Sequence, residues 1–88
     1  LNVRYFAAAR AAAGVEEECF DLAPGSTVAD LLETVLSVER PEPPAGTPLL
    51  PRILSRSSFL LNEVAVRDHS VVLNADDVVD VLPPFAGG

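Results

Sequence analysis

The chain has one cysteine, one histidine, one tyrosine and no methionine or tryptophan. The lone Cys19 excludes an intramolecular disulfide and makes a reducing compartment, the cytoplasm, the default. One Cys and one His also exclude an all-protein Cys/His zinc site or an iron–sulfur cluster, so no metal site is expected. Basic residues are scarce: six Lys and Arg stand against 13 Asp and Glu, a net charge of −7. That balance argues against nucleic acid, which calls for a basic footprint. It suits solubility, and it favours a partner with a positive docking surface. No apolar run approaches the roughly 20 residues of a membrane helix, so no membrane partner is expected. No cleavage-type signal segment opens the chain, and without an initiator Met a trimmed start is expected. The phosphate-binding G-x-x-x-x-G-K-[ST] loop, the H-E-x-x-H helix and the G-x-S-x-G elbow are all missing.

What is present is one small domain of 88 residues, 49% of them hydrophobic. Such a chain folds, but its core is limited, because only about two-thirds of its unfolded surface can be buried. Leu1 to Ala7 alternates, with Leu1, Val3, Tyr5 and Ala7 on one face, and predicts a strand. Ala7 to Ala13 predicts a short alanine-rich helix stopped by Gly14. Glu16 to Leu22 predicts a second strand with Phe20 and Leu22 on one face. Cys19 is expected as a small packed residue, having no cationic neighbour to activate it. The run Glu16, Glu17, Glu18 is expected on a solvated edge, since alternation sends neighbours to opposite faces. Arg10 is expected in a structural ion pair.

Thr27 and Asp30 form a capping-box pattern that opens the longest helix. Val28, Leu31, Leu32, Val35 and Leu36 make its buried face, and Pro41 is expected to end it. Pro41 to Pro48 reads as a connector. Leu49 to Ser55 predicts a short helix. Phe59-Leu60-Leu61 and Val64-Ala65-Val66 predict a hairpin turning at Asn62-Glu63. Asp68-His69-Ser70 is loop-like, with His69 on the surface. Val71-Val72-Leu73 is a short apolar run, Asn74 to Asp77 turns the chain, and Val78 to Leu82 predicts the last strand. The element order gives an α+β domain, a main helix packed on one mixed sheet.

The closing stretch, Pro83-Pro84-Phe85-Ala86-Gly87-Gly88, is the most distinctive. The two prolines donate no N–H, stop strand pairing and hold the chain extended. Ala86, Gly87 and Gly88 make a thread narrow enough for a slot that ordinary residues cannot enter. Six residues reach roughly 20 Å at about 3.3 Å each. The division expected is a domain over residues 1–82 and an extended tail over 83–88. With no acid–base or nucleophile set elsewhere, the notable reactive group is the Gly88 carboxylate. It is inert to acyl transfer until adenylated, and nothing in the chain binds ATP.

The chain resembles the molybdopterin synthase small subunits (the MoaD family), within the ThiS/MoaD ubiquitin-like sulfur carriers. Tyr5 to Gly14 fits that family's F-A-x-x-R-x-x-x-G, Thr27 to Leu32 its helix start, and Leu61-Asn62-Glu63 its V-N-x. Asp76 to Pro84 with Gly87-Gly88 fits its D-E-V…P-P-x-x-G-G. The sequence departs at Asn74-Ala75-Asp76, where D-G-D is usual, and at Phe85, bulkier than the usual residue.

The resemblance implies a ubiquitin-like β-grasp fold with short extra helices beside the main one. It implies a protein that is no enzyme alone but the sulfur-donating subunit of a synthase. An E1-like adenylyltransferase using Mg and ATP would activate Gly88, and a sulfur donor protein would convert it to a thiocarboxylate. The large subunit of molybdopterin synthase would then receive the tail. Gly87 and Gly88 would carry the chemistry. Phe6 and Leu82 match a docking patch or pack as ordinary core or edge residues, and Pro83, Pro84, Phe85 and Ala86 would line the entry. The tail alone leaves open a carrier for thiamine, cysteine or tRNA thiolation, a ubiquitin-like modifier, or a plain interaction domain.

Overall fold

The computed structural model describes residues 1–84. The expectations for Phe85, Ala86, Gly87 and Gly88 lie outside the described residues. Five strands form one mixed sheet: β1 (Asn2–Tyr5), β2 (Glu17–Cys19), β3 (Ser58–Leu61), β4 (Val64–Val66) and β5 (Val78–Leu82). Their spatial order is β2-β1-β5-β3-β4. The first and last strands run parallel at the centre, with Tyr5 beside Val81, and the other pairings are antiparallel. Helices α1 (Ala7–Ala13), α2 (Val28–Ser37) and α3 (Leu50–Arg56) complete the domain. This is the mixed-sheet β-grasp arrangement expected above.

Alternation decides the faces. Val3, Tyr5, Phe59, Val79 and Val81 point to the helix side and are buried with Ala9, Ala12, Ala13, Val28, Leu31, Val35, Leu50, Ile53 and Leu54. The buried alanines of α1 let it lie close against α3. Gly14 ends α1 at φ 79°, its N–H donating to the Arg10 carbonyl, a left-handed conformation that glycine adopts without strain. The capping box forms as expected: Asp30 N–H donates to Thr27 Oγ1 at 3.3 Å, and Thr27 N–H to Asp30 Oδ2 at 2.9 Å. At Asn62-Glu63 both residues have positive φ, 49° and 71°, as a tight two-residue hairpin turn requires. Asn62 also ties this turn to the last strand, accepting from Val78 N–H at 2.9 Å.

Several expectations need correction. The second strand is shorter than Glu16 to Leu22, although Phe20 and Leu22 still pack on the core. Cys19 is exposed, because the inward positions of that edge strand go to Glu18 and Phe20. The main helix stops at Ser37, before Pro41, and Leu36 is 45% exposed. Val28, Leu31 and Val35 already fill its inward stripe, and Leu36 lies about 100° round from Val35. The Asn74 to Asp77 turn, by contrast, forms as expected: Asp77 N–H donates to the Asn74 carbonyl at 3.1 Å, and Ala75 does not need the positive φ that favours glycine.

Glu18 is the largest correction. It sits on the helix side, accepting from the Tyr5 hydroxyl at 2.7 Å and from both terminal nitrogens of Arg40 at 2.7 and 2.9 Å. Arg40 also donates to the carbonyls of Ala13 at 3.2 Å and Val35 at 3.1 Å, and lies 5.7 Å from the centre of the Tyr5 ring. One guanidinium thus satisfies carbonyls at the ends of both α1 and α2, where helices leave acceptors unpaired. Burial would raise the Glu18 carboxyl, but hydrogen bonds from Arg40 and Tyr5 outweigh it and hold it below the ordinary range. Burial, then the bond to Glu18, pushes the Tyr5 phenol well above its ordinary value.

Candidate functional site

The last strand lies in the middle of the sheet and carries the chain to Pro83 and Pro84. Leu82 and Pro83 are half-buried and Pro84 is exposed. The strand end is held on both sides. Phe6 N–H donates to the Val81 carbonyl at 3.3 Å, and Leu82 pairs with Ser58. The tail therefore starts from the best-supported strand of the domain rather than from a fraying edge.

The parallel register brings Phe6 and Leu82 to the same end of the sheet. Phe6 is 40% exposed, a large apolar ring left in solvent beside the exit. Sequence reasoning missed Leu60. It faces away from the core on the adjoining strand, in register with Asp80, and is half-buried. Its signal was available: alternation through Phe59-Leu60-Leu61 puts Leu60 opposite the buried Phe59.

Sequence reasoning also missed the ion pair in this outer face. Asp80 is 4% exposed although it points away from the helices. Arg4 donates to it through Nε at 2.5 Å and Nη2 at 2.8 Å, a two-pronged fork. The hydrogen bond to Asp80, then its charge, raises the Arg4 pKa above its ordinary value. The guanidinium lies 6.0 Å from the centre of the Phe6 ring, at the outer limit of cation–π contact. Arg10 does form an ion pair, to Glu16 at 3.7 Å, but both side chains are largely exposed and the contact adds little stability. His69 is exposed, its ring edge-on to Phe59 with centroids 5.5 Å apart.

Among the described residues, no group of three or more His, Cys, Asp or Glu side chains could hold a metal ion. No helix among them is long and apolar enough to cross a membrane. What the arrangement offers is an apolar strip of Phe6, Leu60 and Leu82 at the foot of a centrally anchored C-terminal strand.

This architecture defines a ubiquitin-like β-grasp domain. The ThiS family model matches residues 3–88, and the chain belongs to that family. The molybdopterin synthase sulfur carrier subunit of Chlamydomonas reinhardtii is 33% identical over 90 residues, spanning 100% of this chain and 98% of that one. Among solved structures, molybdopterin converting factor subunit 1 of Pyrococcus furiosus superposes with TM-score 0.71 at 26% identity. That match covers 96% of this chain and 95% of the other. SAMP1 of Haloferax volcanii superposes with TM-score 0.77 at 22% identity, over 99% and 97% of the two chains, a likeness of fold.

Proposed function

We propose that this chain is a sulfur carrier whose Gly88 carboxylate is the working group, serving as the small subunit of a molybdopterin synthase. The observation that carries the reading is the full-length likeness to the Chlamydomonas reinhardtii sulfur carrier subunit. The central exit of the last strand beside the exposed Phe6 and the half-buried Leu60 and Leu82 supports it.

In this reading the Gly88 carboxylate oxygen attacks the α-phosphorus of ATP, held with Mg by an E1-like adenylyltransferase, and pyrophosphate leaves. Sulfur supplied by a donor protein at the hydrosulfide level then attacks the acyl carbon. AMP leaves with the C–O bond electrons, and a thiocarboxylate remains. The large subunit then receives the loaded tail and takes its sulfur onto cyclic pyranopterin monophosphate, and water cleaves the acyl–sulfur bond to return the Gly88 carboxylate. In this reading ATP, Mg and the acid–base groups come from the partners. This chain's part is delivery: Gly87 and Gly88 enter the partner's slot, Pro83 and Pro84 keep the lead stiff, and Phe85 and Ala86 line the entry. Phe6 and Leu82, with Leu60, seat the domain. A cytoplasmic location accords with these partners.

The test is the intact mass of the chain after incubation with the activating enzyme, Mg-ATP and a sulfur donor. A gain equal to one sulfur replacing one oxygen is expected. It should vanish on deleting Gly88 or adding a residue after it. Equal loading of a chain blocked in that way would overturn the reading.

A further inference from the structure

The outer face of the sheet is ordered by register. Glu17, Arg4, Asp80, Leu60 and Ala65 stand abreast, one on each strand. Leu82 lies two residues further along the same face as Asp80, and Phe6 follows Arg4 at the same end of the sheet. Arg4 thus lies between Glu17 and Asp80 on the same face as the apolar residues that the proposed function assigns to docking. Its side chain is still 39% exposed.

A guanidinium has five N–H donors. Two of Arg4's are taken by Asp80, and the rest of the fork has no acceptor among the described residues. In the free protein water can serve those donors. A partner that covers Phe6, Leu60 and Leu82 takes that water away, and an unpaired buried N–H of a charged group is costly. The complex is therefore tight only if the partner supplies an acceptor. Its charge is constrained as well. Glu17 stands beside Arg4, Glu63 is near enough to act on it, and Asp80 already neutralises it. A partner carboxylate would meet a locally negative field, whereas a neutral carbonyl oxygen would not.

We propose that Arg4 is a specificity-determining contact, and that the docking partner places a neutral carbonyl oxygen against the outward edge of its guanidinium. Asp80 is the positioning residue that holds the fork in place. The inference rests on the sulfur-carrier reading, since it takes the large subunit of molybdopterin synthase as the partner.

Surface plasmon resonance with that subunit and the full-length chain tests it. Arg4→Leu alone strands the Asp80 carboxylate and endangers folding. The informative variant is therefore Arg4→Leu with Asp80→Ala, which removes both charges of the pair and strands neither partner. Thermal unfolding first confirms that this variant is folded. The expected result is a dissociation rate raised roughly ten- to a hundredfold, the range for one charge-assisted hydrogen bond. The ratio to wild type should persist at high ionic strength, because a neutral acceptor is little screened. If Arg4 and Asp80 only support the fold, the folded double variant binds as tightly as wild type, and the inference falls. A difference that disappears in high salt would also overturn it, by indicating a charged acceptor. Failure of the wild-type chain to bind would remove both this inference and the synthase reading. Equal binding by wild type and variant leaves the synthase reading intact.

Discussion

Arg40→Met should be strongly destabilising although it leaves the apolar core of the helix side intact. Methionine keeps most of the side-chain length and apolar stem, so packing changes little. What is lost is a charge whose side chain is 11% exposed, bonded to Glu18, itself 18% exposed. The carbonyls of Ala13 and Val35 lose a donor at the same time. Breaking a buried pair by removing one partner costs about 3–5 kcal/mol, and residual exposure places this pair near 3. Each kcal/mol moves Tm by about 4–8 °C in a domain of this size, so a drop of roughly 12–24 °C is expected. Thermal and urea unfolding followed by far-UV circular dichroism would measure it, with the urea slope unchanged. The triple variant Tyr5→Phe, Glu18→Leu, Arg40→Met strands no charge or hydroxyl and should recover part of the loss. A drop for Arg40→Met below about 4 °C, close to 1 kcal/mol, would mean that water screens the network. A triple variant no more stable than the single one would refute the argument from a stranded carboxylate.

The same network sets two pH limits. The folded Glu18 pKa is depressed from 4.5, so its contribution is present above that value and is lost as pH falls through the folded pKa. The folded Tyr5 pKa is raised from 10.0, so its contribution is present below pH 10 and is lost as pH rises beyond it. Tyr5→Phe should flatten the alkaline fall in Tm, and an unchanged alkaline limb would contradict that assignment. At the hairpin turn, Glu63 holds φ 71°, a region that glycine enters freely. Glu63→Gly should raise stability by about 0.5–1 kcal/mol in urea titration, and a loss would show that the Glu63 side chain earns its place.

Local signals were legible in the sequence. The bounds of α1, the capping box of Thr27 and Asp30, the turn at Asn62-Glu63 and the span of the last strand each depend on residues a few positions apart. The partners of Glu18 were not legible. Tyr5 lies 13 positions away and Arg40 22, and no periodicity links them. A run of three glutamates looks solvated when read alone; only the register that turns Glu18 toward Tyr5 reveals otherwise. Asp80 posed the same problem. Its partner Arg4 is 76 positions away, joined by the central parallel pairing. At the candidate site, motif position pointed to Phe6 and Leu82 but not to Leu60. Its apolar neighbours Phe59 and Leu61 conceal it in a run of three.

The two charge networks lie on opposite sides of one sheet, and their exposures differ in a way that separates their roles. Arg40 has its Nε buried with no acceptor among the described residues, while its two terminal nitrogens are committed to Glu18 and two helix ends. Such a group holds α1, α2 and the first two strands in one arrangement and offers a visitor nothing. Arg4 is tied at one edge and open at the other. The first network makes the sheet stiff, and the second gives its outer face a directional polar contact within an apolar strip. In the proposed role, a carrier that docks on a partner subunit through this face needs both. Apolar area alone admits any greasy surface, whereas a fixed donor excludes partners that lack the matching acceptor.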